Sequence, residues 1–158
     1  MRVKRLMSAS VYACTSDQSL AEAASLMWKH DVGCVPVVDG DQRPLAMLTD
    51  RDISMAAYLR GVPLAEIEVA SAMSSRAFTC HARDDVRDAE RTMMEQQVRR
   101  LPVVNDAGVL LGVLSLNDIV LARTGSALHK VRERLRGRVI DTLAAISRHR
   151  LTAPAEID

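Results

Sequence analysis

The chain repeats itself, and this duplication constrains its fold more than any other feature of the sequence. Val3 through Ile53 align without a gap onto Val69 through Ile119, at an offset of 66 residues. Identical residues recur along the whole alignment, among them the pairs Met7 and Met73, Cys14 and Cys80, Met27 and Met93, Pro36 and Pro102, and Asp52 and Asp118. A register held over so long a stretch indicates two copies of one structural unit.

The first helix of each copy is predicted from capping and periodicity. Ser19 followed by Glu22 is a capping-box pattern, and apolar residues then recur at helical spacing, which predicts a helix over residues 19–30. The matching helix of the second copy begins at Asp85 and is expected to end near Gln97.

Two strands and a second helix follow in each copy. The runs GCVPVVDGD and RRLPVVNDAG are rich in β-branched residues and end in turn signals, so each predicts a strand that enters a hairpin. The return strands PLAMLT and VLLGVLS lead into predicted helices over residues 50–60 and 116–123, which end at Gly61 and Gly125. Each copy therefore has the order strand, helix, strand, strand, helix.

These elements predict an α+β fold of two tandem βαββα motifs. A unit this small cannot cover both faces of a three-stranded sheet, so the motifs should pack through their sheets around a pseudo-twofold axis. We expect a first motif over residues 1–60 and a second over 67–124, which together form one module because the connection is short. Residues 125–158 form a C-terminal helix and tail.

Charge and composition exclude several classes of function. Residues 125–158 contain 7 Lys and Arg against 4 Asp and Glu, whereas residues 1–124 contain 14 against 16, so the two motifs offer no overall positive field. Aromatic residues make up 3% of the chain, too few for stacking on single-stranded nucleic acid. No signal peptide or membrane-length apolar run is present, which predicts a cytoplasmic protein without a membrane partner.

The nucleophile and metal-ligand patterns of enzymes are missing from the sequence. The three cysteines lack a C-x-x-C spacing and lie in apolar segments, so neither a disulfide framework nor a zinc site is expected. The four histidines are scattered, and no serine or cysteine has a motif that places it beside a base. The sequence predicts a binding protein with no catalytic residue, no metal and no cofactor.

A polar corner follows the last strand of each copy. Thr49 and Asp52 form the first corner, and Ser115 and Asp118 form the second, each at the N-terminus of a helix. Unpaired backbone N–H groups and the helix dipole favour a phosphate there, and a carboxylate one turn later can bind ribose hydroxyls. The same pattern is also a capping box that needs no ligand. Both interpretations remain open.

Cations and amides near the corners are further candidates for a phosphate site. Arg99 and Arg100 precede the Leu-Pro-Val-Val strand, and a guanidinium fork suits phosphate oxygens. Arg51 and Asn117 lie inside the first and second corner turns, respectively.

The segments VGCVPVVDGD…LAMLTDRDI and VRRLPVVNDAGVLLGVLSLNDI resemble consecutive cystathionine-β-synthase (CBS) motifs, over residues 1 to about 124. The resemblance implies a Bateman module, association of two modules as a homodimeric disc, no catalysis, and a cleft that binds AMP, ADP, ATP or S-adenosylmethionine. The family's Gly-h-h-[Thr/Ser]-x-x-[Asp/Asn] element matches Gly112, Ser115 and Asp118. The first copy has Ala46 in place of the glycine, and the added methyl group is expected to narrow the first cleft.

The resemblance also implies residues that line the adenine pocket. Those around the Pro-Val-Val strands are Val35, Pro36, Leu101 and Pro102, and those that close the pocket are Ala13 and Thr79.

The last segment has a pattern of its own. Leu128, Val131, Leu135, Val139, Leu143 and Ile146 recur every three or four positions, with arginines between them, which predicts an amphipathic helix bent near Gly137. It can lie on the motif pair, join two chains, or contact another protein or a polyanion.

Three functions are compatible with these features. The first is a sensor in which an adenine nucleotide or related adenosyl molecule biases the motifs and a regulated protein partner. The second is a ligand-free homodimeric scaffold that acts through the C-terminal helix. Nucleic-acid binding through the tail is the least favoured, because the basic residues are confined to the tail.

Overall fold

A computed structural model of the chain describes residues 1–124, 141–143 and 145–146. The first repeat contains β1 (Cys14–Thr15), α1 (Leu20–His30), β2 (Cys34–Val38), β3 (Pro44–Thr49) and α2 (Asp50–Arg60). The second contains β4 (Cys80–His81), α3 (Val86–Gln96), β5 (Arg100–Val104), β6 (Leu110–Ser115) and α4 (Leu116–Thr124). The predicted order of elements and the α+β class are confirmed. Arg100 belongs to β5 instead of preceding the strand.

The two sheets have the same topology. The strand orders are β1-β2-β3 and β4-β5-β6, with the first pair of each sheet parallel and the second antiparallel. The register of the hairpin shifts between Val37 and Val38, and again at the equivalent Val103 and Val104. The duplication therefore extends to an irregularity in the strands.

Local chemistry explains where the helices begin and end. Ser19 caps α1 with a complete capping box, as predicted, and Asp85 caps α3 by accepting a hydrogen bond from the N–H of Arg87. Helices α1 and α3 end at Asp31 and Gln97, whose φ angles of 51° and 53° are both left-handed. Helix α2 ends at Gly61, where a left-handed residue is easily accommodated.

Each repeat has its own core, and each core takes in part of the segment that begins the other repeat. Val3 is fully buried in the core of the second repeat, and its equivalent Val69 is fully buried in the core of the first. Ser8 then pairs with Val113 of β6, and the equivalent Ser74 bonds to Met47 of β3. This reciprocal exchange of segments fastens the repeats together around the predicted pseudo-twofold axis.

Part of the predicted C-terminal helix is described. Residues 141–143 and 145–146 are helical and lie on the second repeat, where Ile146 packs against the core and Thr142 is buried. The side-chain Nε2 of Gln97 donates a hydrogen bond to the Ala145 carbonyl at 3.3 Å. The remainder of the predicted helix, with Leu128, Val131, Leu135, Val139 and the bend at Gly137, lies outside the described residues. In the described part of the chain, none of the helices has the length and apolarity that a membrane crossing requires.

Candidate functional site: a crevice between the repeats

Both polar corners are closed capping boxes. At the second corner, the backbone N–H and the hydroxyl of Ser115 donate to Oδ2 of Asp118 at 2.8 and 2.7 Å, and the N–H of Asp118 donates back to Ser115 Oγ at 3.1 Å. Thr49 and Asp52 form the same three bonds at 2.9, 2.6 and 3.2 Å. All of the carboxylate's bonds use Oδ2, so Oδ1 of each aspartate has no part in the cap.

A crevice of about 310 Å³ opens at the second corner, and both repeats contribute to it. Ser115, Asp118 and Val113 of the second repeat line it, together with Gly33, Cys34 and Pro36 of the first repeat. Ser8, Ser10, Val11 and Tyr12 of the exchanged N-terminal segment also line it. This volume is within the range of about 300–1,000 Å³ typical of small-molecule pockets.

Arg100 lies between this crevice and an adjoining cavity of about 550 Å³. It is paired with Ser115 in the register of β5 and β6, which places its side chain beside the second corner. The adjoining cavity is also lined by Arg99 and Asn117, together with Asp50 of the first repeat. The second corner is therefore a mixed-charge site with two guanidinium groups beside a helix N-terminus, an arrangement suited to phosphate oxygens.

Gly33 allows the charges of the two repeats to approach each other. A Cβ atom at position 33 would lie 3.2 Å from Oδ2 of Asp50 and 4.0 Å from Nη2 of Arg100. The absence of a side chain thus leaves room where the carboxylate of one repeat and the guanidinium of the other converge.

The three thiols differ in exposure. Burial raises the pKa of Cys14 to about 11 and that of Cys80 to about 12. Burial also raises the pKa of Cys34, against an opposing effect of Arg100 and a supporting one of Asp50. Cys34 is only partly buried and faces the crevice, whereas the other two lie in the cores. Among the described residues, no group of three or more His, Cys, Asp and Glu is placed to hold a metal ion.

Sequence reasoning missed several residues of the crevice. Gly33, Cys34, Ser8 and Tyr12 line it, yet none belongs to the motif around either corner. Tyr12 stacks on His30 with ring centroids 3.5 Å apart and an angle of 12° between the rings. Tyr12 could have been singled out from the sequence, because it is one of only two tyrosines in a chain poor in aromatic residues.

The predicted site residues are distributed unevenly around this crevice. Ser115, Asp118, Arg100 and Pro36 line it, and Arg99 and Asn117 line the adjoining cavity. The side chains of Val35 and Leu101 are fully buried in the cores, so only their backbone can face a ligand, and Pro102 is also buried.

The other predicted site residues lie elsewhere. Ala13 and Thr79 immediately precede β1 and β4. Thr49, Arg51 and Asp52 lie at the first corner, outside both cavities. Their roles in binding remain predictions.

Gly112 permits a close approach within the protein itself. A Cβ atom there would lie only 2.5 Å from the Ser8 carbonyl oxygen, which accepts a hydrogen bond from the N–H of Val113. In the first repeat Ala46 stands at this place, and the N–H of Met47 donates to the hydroxyl of Ser74 instead. The repeat that has alanine in place of glycine thus forms a different hydrogen bond to its exchanged segment.

The fold and the crevice define a class of protein, a tandem pair of βαββα motifs with a small-molecule-sized crevice between them. The chain belongs to the CBS domain family, whose model matches residues 3–58 and 66–125. Among curated proteins it is similar to the CBS domain-containing protein YhcV of Bacillus subtilis. The two are 34% identical over 134 residues, which cover 82% of this chain and 94% of YhcV.

Solved structures share the fold. The CBS domain pair of MJ0100, in complex with 5′-methylthioadenosine and S-adenosyl-L-methionine, superposes with a TM-score of 0.70 at 24% identity, over 79% of this chain and 97% of that one. CBSX2 in complex with AMP superposes with a TM-score of 0.65 at 22% identity, over 78% of this chain and 96% of that one.

Proposed function

We propose that this chain is a regulatory module that binds an adenosyl ligand, AMP, ADP, ATP or S-adenosylmethionine, in the crevice at the second corner. The observation that carries the proposal is the convergence of both repeats on this crevice, where Ser115, Asp118 and Arg100 line the same ligand-sized space as Pro36. The adenosyl ligands held by the MJ0100 domain pair and by CBSX2 support the choice of ligand class.

Each group has a defined part in this proposal. Oδ1 of Asp118, which the capping box does not use, accepts hydrogen bonds from the ribose hydroxyls. Arg99 and Arg100 neutralise phosphate or carboxylate groups that extend into the adjoining cavity. Pro36 and the backbone around it contact the base. Because a ligand in this position touches both repeats, it favours one relative arrangement of them, and the module acts by regulation in place of catalysis.

The alternative is a ligand-free scaffold that binds proteins. The observation that favours it is the closure of both capping boxes without any ligand, since a closed cap fully accounts for Ser115 and Asp118. We retain the proposal of a cytoplasmic homodimer for either function.

Asp118→Ala and Asp52→Ala form a matched pair that separates the two functions. Each variant removes the same two bonds to the carboxylate and keeps the bond from its backbone N–H to the hydroxyl, so each should lower the free energy of unfolding by about 0.5–2 kcal/mol. Only Asp118→Ala removes a group from the crevice, and we expect it to weaken ligand binding by at least about 10-fold. Isothermal titration calorimetry with AMP, ADP, ATP and S-adenosylmethionine measures the difference.

Two results would reject the sensor. One is the absence of heat and thermal shift for all four ligands at millimolar concentration. The other is equal weakening by the two substitutions, because Asp52 lies outside the crevice and its loss reports only the cap.

A further inference from the structure

The two repeats present matching grooves, of which the described residues cover only that of the second repeat. On the second repeat, the end of α3 and the start of α4 are covered by residues 141–143 and 145–146, through Ile146, which packs against the core, and the bond from Gln97 to Ala145. Leu143 lies in the same cavity as Leu116 and Val120 at the start of α4. The chain's own C-terminal segment thus shows what this surface accommodates, which is a helix.

The equivalent groove of the first repeat has no such cover among the described residues. This Trp28 groove, of about 460 Å³, lies between α1 and α2 and is lined by Ala24, Met27, Trp28, Asp31, Asp50 and Ile53. Met27 and Ile53 are buried at its base, whereas the Trp28 side chain is 90% exposed. An exposed indole beside an apolar groove is the type of group that anchors protein interfaces.

The differences between the grooves identify the chemistry of the missing helix. Asp31 and Gln97 occupy equivalent positions with nearly the same left-handed backbone, φ 51° and 53°. The Gln97 side chain donates to a helix carbonyl, but the Asp31 carboxylate can only accept. Asp50 places a second carboxylate in the open groove where the second repeat has Leu116. The occupant must therefore bring donors. A cation meets the Asp31 carboxylate directly, whereas Asp50, whose carboxylate also converges with Arg100, adds to the negative charge of the groove.

Trp28 strengthens this assignment. It replaces Met94 of the second repeat, and an indole face attracts arginine or lysine as well as apolar side chains. We propose that the Trp28 groove docks an amphipathic helix of a partner protein. The helix presents its apolar face to Met27, Ile53 and Trp28, and an arginine or lysine to Asp31. The proposal goes beyond the adenosyl ligand and does not depend on it.

A peptide from the chain itself serves as the probe. Residues 138–150, RVIDTLAAISRHR, contain the segment that fills the matching groove, with one arginine before it and two arginines and a histidine after it. Trp28 is the only tryptophan of the chain, and the peptide has none, so the indole emission reports on this groove alone. We expect a saturable blue shift of the full-length protein, with a Kd of about 10–100 µM. A peptide with Leu143→Ser and Ile146→Ser should give no shift.

Two matched pairs of variants locate the binding. Ala24→Arg fills the groove and should weaken binding at least about 10-fold, whereas Ser25→Arg, on an exposed neighbour outside the groove, should leave it unchanged. Asp31→Asn keeps a residue that tolerates the left-handed conformation and should weaken binding about 3- to 10-fold. Glu95→Gln makes the same charge change on α3 and should have no effect. Circular dichroism and denaturation midpoints verify that each variant is folded.

Three outcomes would overturn the proposal. The first is a Trp28 emission that does not respond to the peptide at millimolar concentration. The second is equal weakening by Ala24→Arg and Ser25→Arg. The third is a blue shift that depends on the concentration of the protein alone, because the groove would then be filled by a second copy. All of these measurements are made without nucleotide, so their failure is distinct from failure of the adenosyl site.

Discussion

A single methyl group distinguishes the way in which the two repeats hold their exchanged segments. The Ser8 carbonyl approaches position 112 so closely that only glycine fits. Ser8 forms a regular pair of backbone hydrogen bonds with Val113, in which its N–H donates and its carbonyl accepts. Where Ala46 occupies the equivalent position, Ser74 bonds to Met47 through its N–H and its hydroxyl. The glycine of the family motif therefore serves, in this chain, the contact between repeats.

Gly112→Ala should be far more damaging than the reverse change in the other repeat. The new methyl group would meet the backbone of Ser8, and we expect a loss of about 1–3 kcal/mol in the free energy of unfolding. Ala46→Gly only adds flexibility to a strand and should cost no more than about 1 kcal/mol. Urea denaturation of both variants tests this, and similar losses would show that the close approach has no energetic weight.

At this scale the sequence predicted which side chains form the corners but not what those side chains do. A capping box and a ligand-binding corner have the same residue types at the same spacing, so the pattern alone cannot separate them. The inward direction of Val35 and Leu101 was also not predictable. A strand's alternation shows which residues share a face, but which face meets the core depends on the packing of the sheet.

At the scale of the elements, the two hairpins differ at one left-handed residue. Gln42 has a φ of 61° in the turn between β2 and β3, and the equivalent residue of the second repeat is Gly108, with a φ of 79°. The Gln42 carbonyl accepts a hydrogen bond from the N–H of Leu110, a contact between the two hairpins that any residue can make. The turn geometry is therefore shared, although only one repeat has the residue that favours it.

Gln42→Gly should stabilise the protein. The left-handed conformation costs a residue with a side chain roughly 1–2 kcal/mol, and glycine avoids this cost. Glycine also has greater freedom in the unfolded chain, which offsets part of the stabilisation. The expected net gain is up to about 1 kcal/mol, measured as a higher denaturation midpoint. Gly108→Gln should give a loss of similar size. A destabilising Gln42→Gly would mean that the glutamine side chain makes a contribution larger than the backbone effect.

The order and the bounds of the elements were predicted well because their signals are local. Capping residues, apolar alternation and turn residues lie within the helices, strands and turns that they predict. The duplication also gave each element a second, independent copy of its signal. The exchange of the initial segments was not predicted. Val3 and Val69 look alike in the sequence, and only the packing of two sheets decides that each completes the core of the other repeat.

At the scale of the whole molecule, the crevice exists because two repeats meet. Cys34 belongs to the first repeat, yet it faces Ser115, Asp118 and Arg100 of the second. Its thiol is the only one of the three cysteines that is not in a core. The chemical reactivity of Cys34 therefore reports on the space between the repeats.

Alkylation of Cys34 should reveal occupancy of the crevice. Because burial raises the pKa values of all three thiols, labelling by iodoacetamide should be slow at neutral pH and accelerate as the pH rises. Cys34 should react first, since Cys14 and Cys80, with pKa values of about 11 and 12, are also shielded by the cores. Saturating AMP should slow the labelling of Cys34, as measured by mass spectrometry. Labelling of Cys80 at the same rate would contradict the description of the crevice.

The whole-molecule features that the sequence left unpredicted are those that break its symmetry. The apolar spacing predicted a helix in the C-terminal segment and admitted docking on the motif pair, but it did not indicate which repeat the helix covers. That choice depends on differences between the grooves, such as Gln97 in one and Asp31 in the other. The effect of these residues on docking can be judged only when the structure of both grooves is known.

Asp31, Val32 and Gly33 form a partition with a cavity on either side, because all three line both the crevice and the Trp28 groove. An adenosyl molecule on one side and a docked helix on the other would press against the same three residues. Thermodynamic reciprocity then requires that whatever the first does to the affinity of the second, the second does to the first by the same factor. The two binding sites would then be coupled through the short segment between α1 and β2.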